Sequence, residues 1–382
     1  MRECASAMLN DRELPTFRKQ LLGWFRQFLR DLPWRRTRDP YRIWLSEVML
    51  QQTRVAAAIP YYERFLERFP DVYALASAPQ EEVLRLWSGL GYYSRARNLQ
   101  KAAQQIVAKH GGKFPTLWED VLALPGIGNY TAAAILSIAF DKPFAVLDGN
   151  VARVLARLGA IRGDLRESKR WQKLQKNAGA LLDAVSPGDW NQAMMELGAT
   201  VCTPKSPQCL LCPVAKFCEG RKLSIAESLP EKRKMRATVK VTLATAIFAN
   251  EKGQTLLLPP PKVTKEKISA DHIATLVSKM WHFPMLAVTG DPAAELKAYF
   301  QKFIPRVEIR KWQFVPAAKV RHAVTYRAIT LWAFLIHVKR VPRISGAKLV
   351  QFGDISLLPV SNLTRKAAGA ALAVAASARG EQ

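Results

Sequence analysis

A chain of 382 residues, 49% of them hydrophobic, is long enough for two domains with substantial cores. No uninterrupted apolar run reaches the roughly 20 residues of a membrane-spanning helix, and the first stretch, MRECASAMLNDRELPTF, has acidic residues and no apolar segment, so it does not read as a signal peptide. The formal net charge of +26 favours a polyanionic partner, nucleic acid ahead of a membrane surface, and it is carried unevenly: 32 Lys/Arg against 22 Asp/Glu in residues 1–230 (+10), and 25 against 9 in residues 231–382 (+16).

Residues 14–31 predict an amphipathic helix, with Phe17, Leu21, Trp24, Phe25 and Phe28 recurring at helical spacing and Pro33 ending it. A basic loop, Trp34-Arg35-Arg36-Thr37-Arg38-Asp39-Pro40, leads into a second helix expected over YRIWLSEVMLQQTRVAAAIP. Glu47 lies in that helix between Ile43-Trp44-Leu45-Ser46 and Val48-Met49-Leu50. In apolar company a carboxylate loses hydration and its pKa rises, which keeps a glutamate protonated as a general acid; facing solvent, it would do neither. Gln51-Gln52-Thr53 are polar, uncharged and able to hydrogen-bond base edges. Three further helices are expected over 60–110, with Trp87 in the core and a tight turn, GLGYYSRARN, whose Tyr92, Tyr93, Arg95 and Arg97 interleave aromatics and guanidinium groups as stacking on nucleic acid uses, although buried tyrosines are the commoner arrangement.

The stretch from Leu124 to Leu158 opens with Gly126-Ile127-Gly128 between two apolar segments, a turn whose backbone N–H groups at a helix start form an anion site. Asp148 lies just before the next helix, in the position of an N-cap, with Gly149 and Asn150 after it. A helical run is expected through Trp171 to Met195, and Gln192 and Glu196 fall one turn apart on what spacing alone reads as a polar face. Cys202, Cys209, Cys212 and Cys218 then fall within 17 positions, a pattern that reads as a metal or cluster site in a reducing cytoplasm rather than a disulfide framework. Their spacing, C-x6-C-x2-C-x5-C, matches neither the usual pair of short zinc motifs nor the common ferredoxin runs, so it establishes four thiolates on one metal centre and no more. Residues 223–237 read as a linker. Beyond it the period changes to two: Val239–Thr245 and Gln254–Leu258 flank a Lys252-Gly253 turn as strand–turn–strand, a short helix is expected near 293–303, and Ala328–Val338 forms another strand, giving an α+β domain. The alanine-rich tail from Lys366 reads as flexible or as a frayed helix.

Glu47, the Gly126–Gly128 turn, Asp148 and the cysteine loop together resemble the MutY family of adenine DNA glycosylases, in the helix–hairpin–helix, endonuclease III-like superfamily. The segments that carry the resemblance are DLPWRRTRDPYRIWLSEVMLQQTRV, LWSGLGYYSRARNL, LPGIGNYTAAAI, AVLDGNVARVLAR and NQAMMELGATVCTP with the cysteine loop, most of residues 20–220 in the family's order. The resemblance implies an all-α glycosylase domain over residues 1–222, with a 4Fe-4S cluster on the loop 202–218. After the linker 223–237 it implies a Nudix-like lesion-recognition domain over 238–365, then a tail over 366–382. It implies that Glu47 protonates adenine at N7, and that Asp148, with Asn150 beside it, faces the oxocarbenium sugar. Trp34, Arg35 and Gln192 would line the adenine pocket, Gln52, Thr53 and Tyr92 would wedge into the duplex, and the amides of Gly126, Ile127 and Gly128 would grip a phosphate.

Bifunctional relatives carry a Schiff-base lysine where this chain has Tyr130, which implies a monofunctional enzyme. In the second domain Met280-Trp281-His282-Phe283-Pro284 resembles the corner of the Nudix fold, but Ala287–Phe300 holds only Asp291 and Glu295 in place of its acidic box. The family's Phe-Ser-His lesion reader is replaced by Val324-Thr325-Tyr326, which puts Thr325 and Tyr326 against 8-oxoguanine. The implied substrate is double-stranded DNA with A·8-oxoguanine or A·G mispairs, acted on by a monomer at the bacterial nucleoid, without membrane association. The competing readings are an endonuclease III-like pyrimidine glycosylase/lyase and a non-catalytic iron–sulfur DNA-binding redox sensor.

Overall fold

The computed structural model describes residues 8–231, 238–260, 280–303, 309–324, 327–358 and 360–380. The chain forms two units, residues 1–78 with 94–234, and residues 79–93 with 235–382.

The first unit is helical: α1 (Leu14–Phe28), α2 (Pro40–Leu50), α3 (Val55–Arg68) and α4 (Val72–Ser77) precede the excursion that carries α5 (Gln80–Leu86) into the second unit. After it come α6 (Ser94–His110), α7 (Trp118–Leu122), α8 (Asn129–Phe140), α9 (Gly149–Leu158), α10 (Ser168–Leu181), α11 (Pro187–Thr200) and the single turn α12 (Glu219–Lys222). At its centre is α8, buried without a break from Thr131 to Ile138, as a helix apolar on every side must be. Around it, α2 contributes Ile43, Trp44, Leu45, Val48 and Met49 to the core.

Two helices expected from periodicity are each broken in the fold. The run from Tyr41 to Pro60 becomes α2 and α3, because Gln52 takes a left-handed backbone (φ 58°) that no helix interior admits. The run from Trp171 to Met195 becomes α10 and α11, with Pro187 at the start of the second, where its missing N–H costs nothing. Residues 226–231, assigned to a linker by composition, belong to the helical unit: Ala226 and Leu229 are buried and the Leu229 carbonyl accepts from Arg157 Nε at 2.8 Å.

In the second unit, β1 (Val239–Ala249) runs parallel to β5 (Arg327–Val338). β3 (Met285–Ala287) adds antiparallel to β1 and β4 (Ile309–Val324) antiparallel to β5, so the sheet order is β3-β1-β5-β4. Successive residues of a strand face opposite ways, and both faces are covered. Ala244, Ala246 and Phe248 pack with Leu296 and Phe300 of α13 (Pro292–Phe303). Val241, Leu243 and Ile247 pack with Leu363, Ala367 and Ala368 of α14 (Asn362–Gly380).

The strand–turn–strand at 239–257 is present, with Gly253 N donating to Asn250 O at 3.1 Å in the turn, and β2 (Gln254–Leu257) pairs with β6 (Lys348–Gln351) in a separate sheet. One expectation changes here. The alanine-rich tail is not flexible where it begins: Ala367, Ala368 and Ala371 are buried, small side chains that let α14 lie close on the sheet. Asp291 and Glu295 cap α13, accepting from Ala294 N (2.7 Å) and from Thr289 N (3.1 Å) and Gly290 N respectively. Phe283 and Pro284 of the proposed corner are buried, while Thr325 and Tyr326 lie outside the described residues.

Candidate active site

One pocket of about 590 Å³ in the helical unit gathers residues from six parts of the chain. It is lined by Trp34 and Arg35 from the turn before α2, Glu47 from α2, Gln52 and Thr53 from the α2–α3 break, Tyr130 from α8, Asp148 and Asn150 from the start of α9, and Gln192, Met195 and Glu196 from α11. A cavity of this size suits a small ligand or a single base.

Glu47 enters the pocket from within a helix turn that is otherwise core, and its side chain is buried. Burial pushes its pKa up to about 7, reinforced by the nearby Asp148 charge and opposed by a hydrogen bond from Tyr130 and by the Arg35 charge. Tyr130 Oη donates to Glu47 Oε2 at 2.8 Å and lies 3.2 Å from Met195 Sδ. Burial and the two carboxylates hold the phenol far above its ordinary range, so it stays a donor.

Asp148 reaches the pocket differently, as the N-cap of α9. Its Oδ1 accepts from Val151 N at 2.7 Å and its Oδ2 from Asn150 Nδ2 at 3.0 Å. Burial raises its pKa, but the N–H donors of Val151 and Asn150 and the Arg153 charge oppose the rise. The two carboxyls therefore differ in their supply of donors: one phenol for Glu47, a capping set and a cation for Asp148.

Three arginines that patterning placed elsewhere, or did not single out, Arg95, Arg153 and Arg30, build this site together with Arg35. Arg95, expected to stack on nucleic acid, is buried, and its Nη1 donates to the carbonyls of Val48 (2.9 Å), Met49 (2.9 Å) and Gln51 (2.6 Å). It thereby satisfies the orphan carbonyls at the end of the helix that carries Glu47. Tyr93 is likewise buried, donating to Val360 O at 3.1 Å. Tyr92, in the second unit, is 54% exposed with φ 48°. Arg153 donates to Asn150 Oδ1 (2.9 Å), Gly198 O (2.7 Å) and Cys202 O (2.9 Å), so one guanidinium ties the Asp148 cap to the first cysteine. A Cβ at Gly198 would sit 2.8 Å from Asn150 Cβ, so this contact needs glycine. Arg35 and Arg30 converge on Glu196, whose pKa burial would raise but the two arginines bring down to about 2. A buried Asp/Glu four residues after a pocket residue was the one available signal, and polar-face periodicity hides it.

Gly126, Ile127 and Gly128 lie outside the pocket lining, in the turn joining α7 to α8. Gly126 has φ 81°, and a Cβ there would come within 2.8 Å of Asn98 Cβ, so both conformation and space demand glycine. Gly128 caps α8 from an open position where a Cβ would meet nothing within 4 Å.

The four cysteine thiols line one small apolar pocket with Arg157. Burial, and the mutual repulsion of the four sulfurs, push the Cys212 thiol up to about 12, so four thiolates are stable together only around positive charge. Arg157 is 1% exposed, donates from Nη1 to Cys202 Sγ (3.2 Å) and Thr203 O (2.7 Å), and has a buried Nη2 with no partner among the described residues, a donor suited to a cluster sulfur. The residues fit an iron–sulfur cluster.

Residues 45–179 match the family model of the HhH-GPD superfamily of base excision DNA repair proteins, and residues 202–218 match the iron–sulfur binding domain of endonuclease III. The helical unit is similar to that superfamily over these residues, and its loop is an iron–sulfur-binding loop. Within the superfamily the chain is similar to adenine DNA glycosylases. It is 39% identical to that of Homo sapiens over 359 residues, covering 81% of this chain and 64% of the relative, and 50% identical to that of Rattus norvegicus over 217 residues, covering 54% and 42%. The adenine DNA glycosylase of Buchnera aphidicola subsp. Schizaphis graminum is 41% identical over 225 residues, covering 58% and 64%. The chain thus spans less than two thirds of the length of these curated relatives. Among solved structures, a thermostable thymine-DNA glycosylase is 29% identical, with a TM-score of 0.51, over 56% of this chain and 98% of its own.

Proposed function

We propose that this protein is a monofunctional adenine DNA glycosylase of base excision repair, acting on adenine opposite 8-oxoguanine or guanine in double-stranded DNA. The observation that carries the reading is the buried Glu47 carboxyl, held near neutrality in its titration and sharing a pocket with Asp148. A base inside a duplex cannot reach Glu47, so the adenine leaves the stack and enters the pocket against Trp34, Arg35 and Gln192. Gln52 and Thr53, at the rim, and Tyr92 would fill the gap in the duplex, and the amides of the Gly126–Gly128 turn would hold a phosphate of the backbone.

Protonated Glu47 gives its proton to N7 of adenine, which draws electrons from the glycosidic bond. The C1′–N9 bond breaks, its electron pair leaving with the base, and positive charge develops on the sugar. Asp148, ionised and fixed at the helix start with Asn150, faces that charge and then takes a proton from the water that adds to C1′. The products are adenine and an abasic site. Among the described residues lining the pocket there is no lysine to form an imine, and Tyr130 holds the place where one would act, which supports hydrolysis without strand cleavage. Cys202, Cys209, Cys212 and Cys218 would hold the 4Fe-4S cluster, which would crosslink the loop and supply a one-electron redox couple.

The second unit we read as a Nudix-like lesion-recognition domain, with Thr325 and Tyr326 at 8-oxoguanine. Asp291 and Glu295 are spent on capping α13, which supports recognition rather than diphosphate hydrolysis. The test is release of free adenine from a duplex carrying one A·8-oxoguanine pair, with the strand intact until alkali is added. Release of a pyrimidine, or a covalent complex trapped by borohydride, would replace this reading with the lyase; no release, with DNA affinity that follows cluster oxidation, would replace it with the redox sensor.

A further inference from the structure

We infer that Glu196 is a positioning residue for the base pocket: its buried carboxylate clamps Arg30 and Arg35, fixing where Arg35 stands and how much of its charge reaches Glu47. This rests on the glycosylase reading above. The Glu196 side chain, on α11, is 1% exposed and takes four donors on two oxygens. Arg30 Nε (2.7 Å) and Arg30 N (3.2 Å) reach Oε1, while Arg30 Nη2 (2.7 Å) and Arg35 Nη2 (2.8 Å) reach Oε2. Arg35, itself 9% exposed, is fixed further by Nη1 donating to Arg30 O at 3.1 Å and by its guanidinium lying 5.5 Å from the Phe25 ring centre. Arg30, Arg35, Glu196 and Glu47 all line the one pocket.

Two arginines around one carboxylate leave the triad at net +1. Without the Glu196 charge the two guanidinium groups would present +2 to Glu47 and favour its carboxylate, disarming a general acid. The clamp instead gives the pocket a rigid donor for a base while damping that charge. The other titratable groups facing Glu47 are Tyr130 from α8 and Asp148 from the start of α9; the α11 residue nearest the phenol, Met195, is uncharged. Glu196 is therefore a lever that acts on Glu47 through Arg35.

The experiment compares the pH dependence of single-turnover adenine release in wild type, Glu196→Gln, Glu196→Asp and Arg30→Gln. Because Glu47 works protonated, activity falls as pH rises through its pKa. Glu196→Gln takes the triad from +1 to +2, so the alkaline limb moves to lower pH by about one unit, with release about tenfold slower above it. Arg30→Gln takes the triad to zero, and the limb moves to higher pH. Glu196→Asp keeps the charge and keeps the limb, whatever it does to base affinity. A merely structural role gives no such opposition of sign. Limbs that stay in place, or that move the same way in the two charge variants, overturn the inference. Should Glu196→Gln lack the wild-type helical circular dichroism, Arg30→Gln, at a side chain 40% exposed, decides alone. Absence of adenine release from wild type overturns the functional reading instead.

Discussion

Replacing Glu47 by glutamine separates what this residue does for chemistry from what it costs the fold. In the native protein its carboxyl titrates at about 7, against an ordinary 4.5, chiefly because burial disfavours the charged form. Between those two pH values the native state holds a proton that the unfolded chain has already lost, so raising the pH destabilises the native state throughout that window. The displacement corresponds to about 3 kcal/mol, fully present above pH 7 and absent below the unfolded pKa. Glutamine keeps an oxygen for the Tyr130 hydroxyl and never ionises. The Glu47→Gln variant is expected to match wild type within about 1 kcal/mol at pH 4, the scale of one altered hydrogen bond. It should exceed wild type by up to about 3 kcal/mol at pH 8, while adenine release falls by at least about a hundredfold for want of a general acid. Urea unfolding followed by helical circular dichroism, run at both pH values, reads the difference, and the carboxylates not coupled to Glu47 cancel between the two proteins. A stability difference that does not change with pH would refute the buried, protonated state of Glu47 and the mechanism built on it.

Asp148→Asn retains a good N-cap for α9 and should leave stability within about 1 kcal/mol of wild type, while single-turnover release drops by about a hundredfold or more because nothing faces the sugar charge. Gly126→Ala puts a side chain on a left-handed backbone and against Asn98, so a loss of about 1–3 kcal/mol by urea titration is expected, together with weaker duplex binding in a gel-shift assay. Removing iron with a chelator should expose residues 202–231 to limited proteolysis while the α2–α8 core stays intact, since the Arg157 contacts to Cys202, Thr203 and Leu229 depend on the loop keeping its shape.

Much of the site was legible because its chemistry depends on local rules. A carboxylate inside an apolar helix run, a Gly-x-Gly turn before a helix and an aspartate just ahead of one can each be read over a few residues. What was not legible came from contacts between segments far apart in the chain. Glu196 carries no periodic mark of burial, because the arginines that make burial tolerable, Arg30 and Arg35, lie more than 160 positions away. Arg95 looked like a DNA contact since it follows two tyrosines, whereas its role is set by the carbonyls ending α2, 44 to 47 positions earlier. The break at Gln52 was hidden because helical periodicity continues on both sides of a single left-handed residue. In the second unit, alternation correctly marked strands but could not say which pair, and β1 and β2 joined different sheets. Alanine-rich composition resembled disorder only because α14 needs small residues to approach the sheet.

The two carboxyls are placed by opposite means, and this decides how each tolerates change. Glu47 is located by packing: Ile43, Trp44, Val48 and Met49 fix the rotation of α2, and Arg95 fixes where the helix ends. A cavity opened at any of these positions would let the helix shift and misplace the acid with no residue in the pocket altered, since a displacement near 1 Å is enough to cost about a hundredfold. Asp148 is located chiefly by hydrogen bonds, from Val151 N and Asn150, with Arg153 bracing Asn150. Core substitutions far from it matter little, but loss of the Asn150 side chain releases Oδ2 and loosens the carboxylate. Repacking variants around α2 should therefore lower activity in proportion to lost stability, whereas Asn150→Ala should lower activity while leaving the unfolding midpoint nearly unchanged. Measuring release rate against urea midpoint across both sets tests this, and a common correlation for all variants would show that the cap is not what holds Asp148.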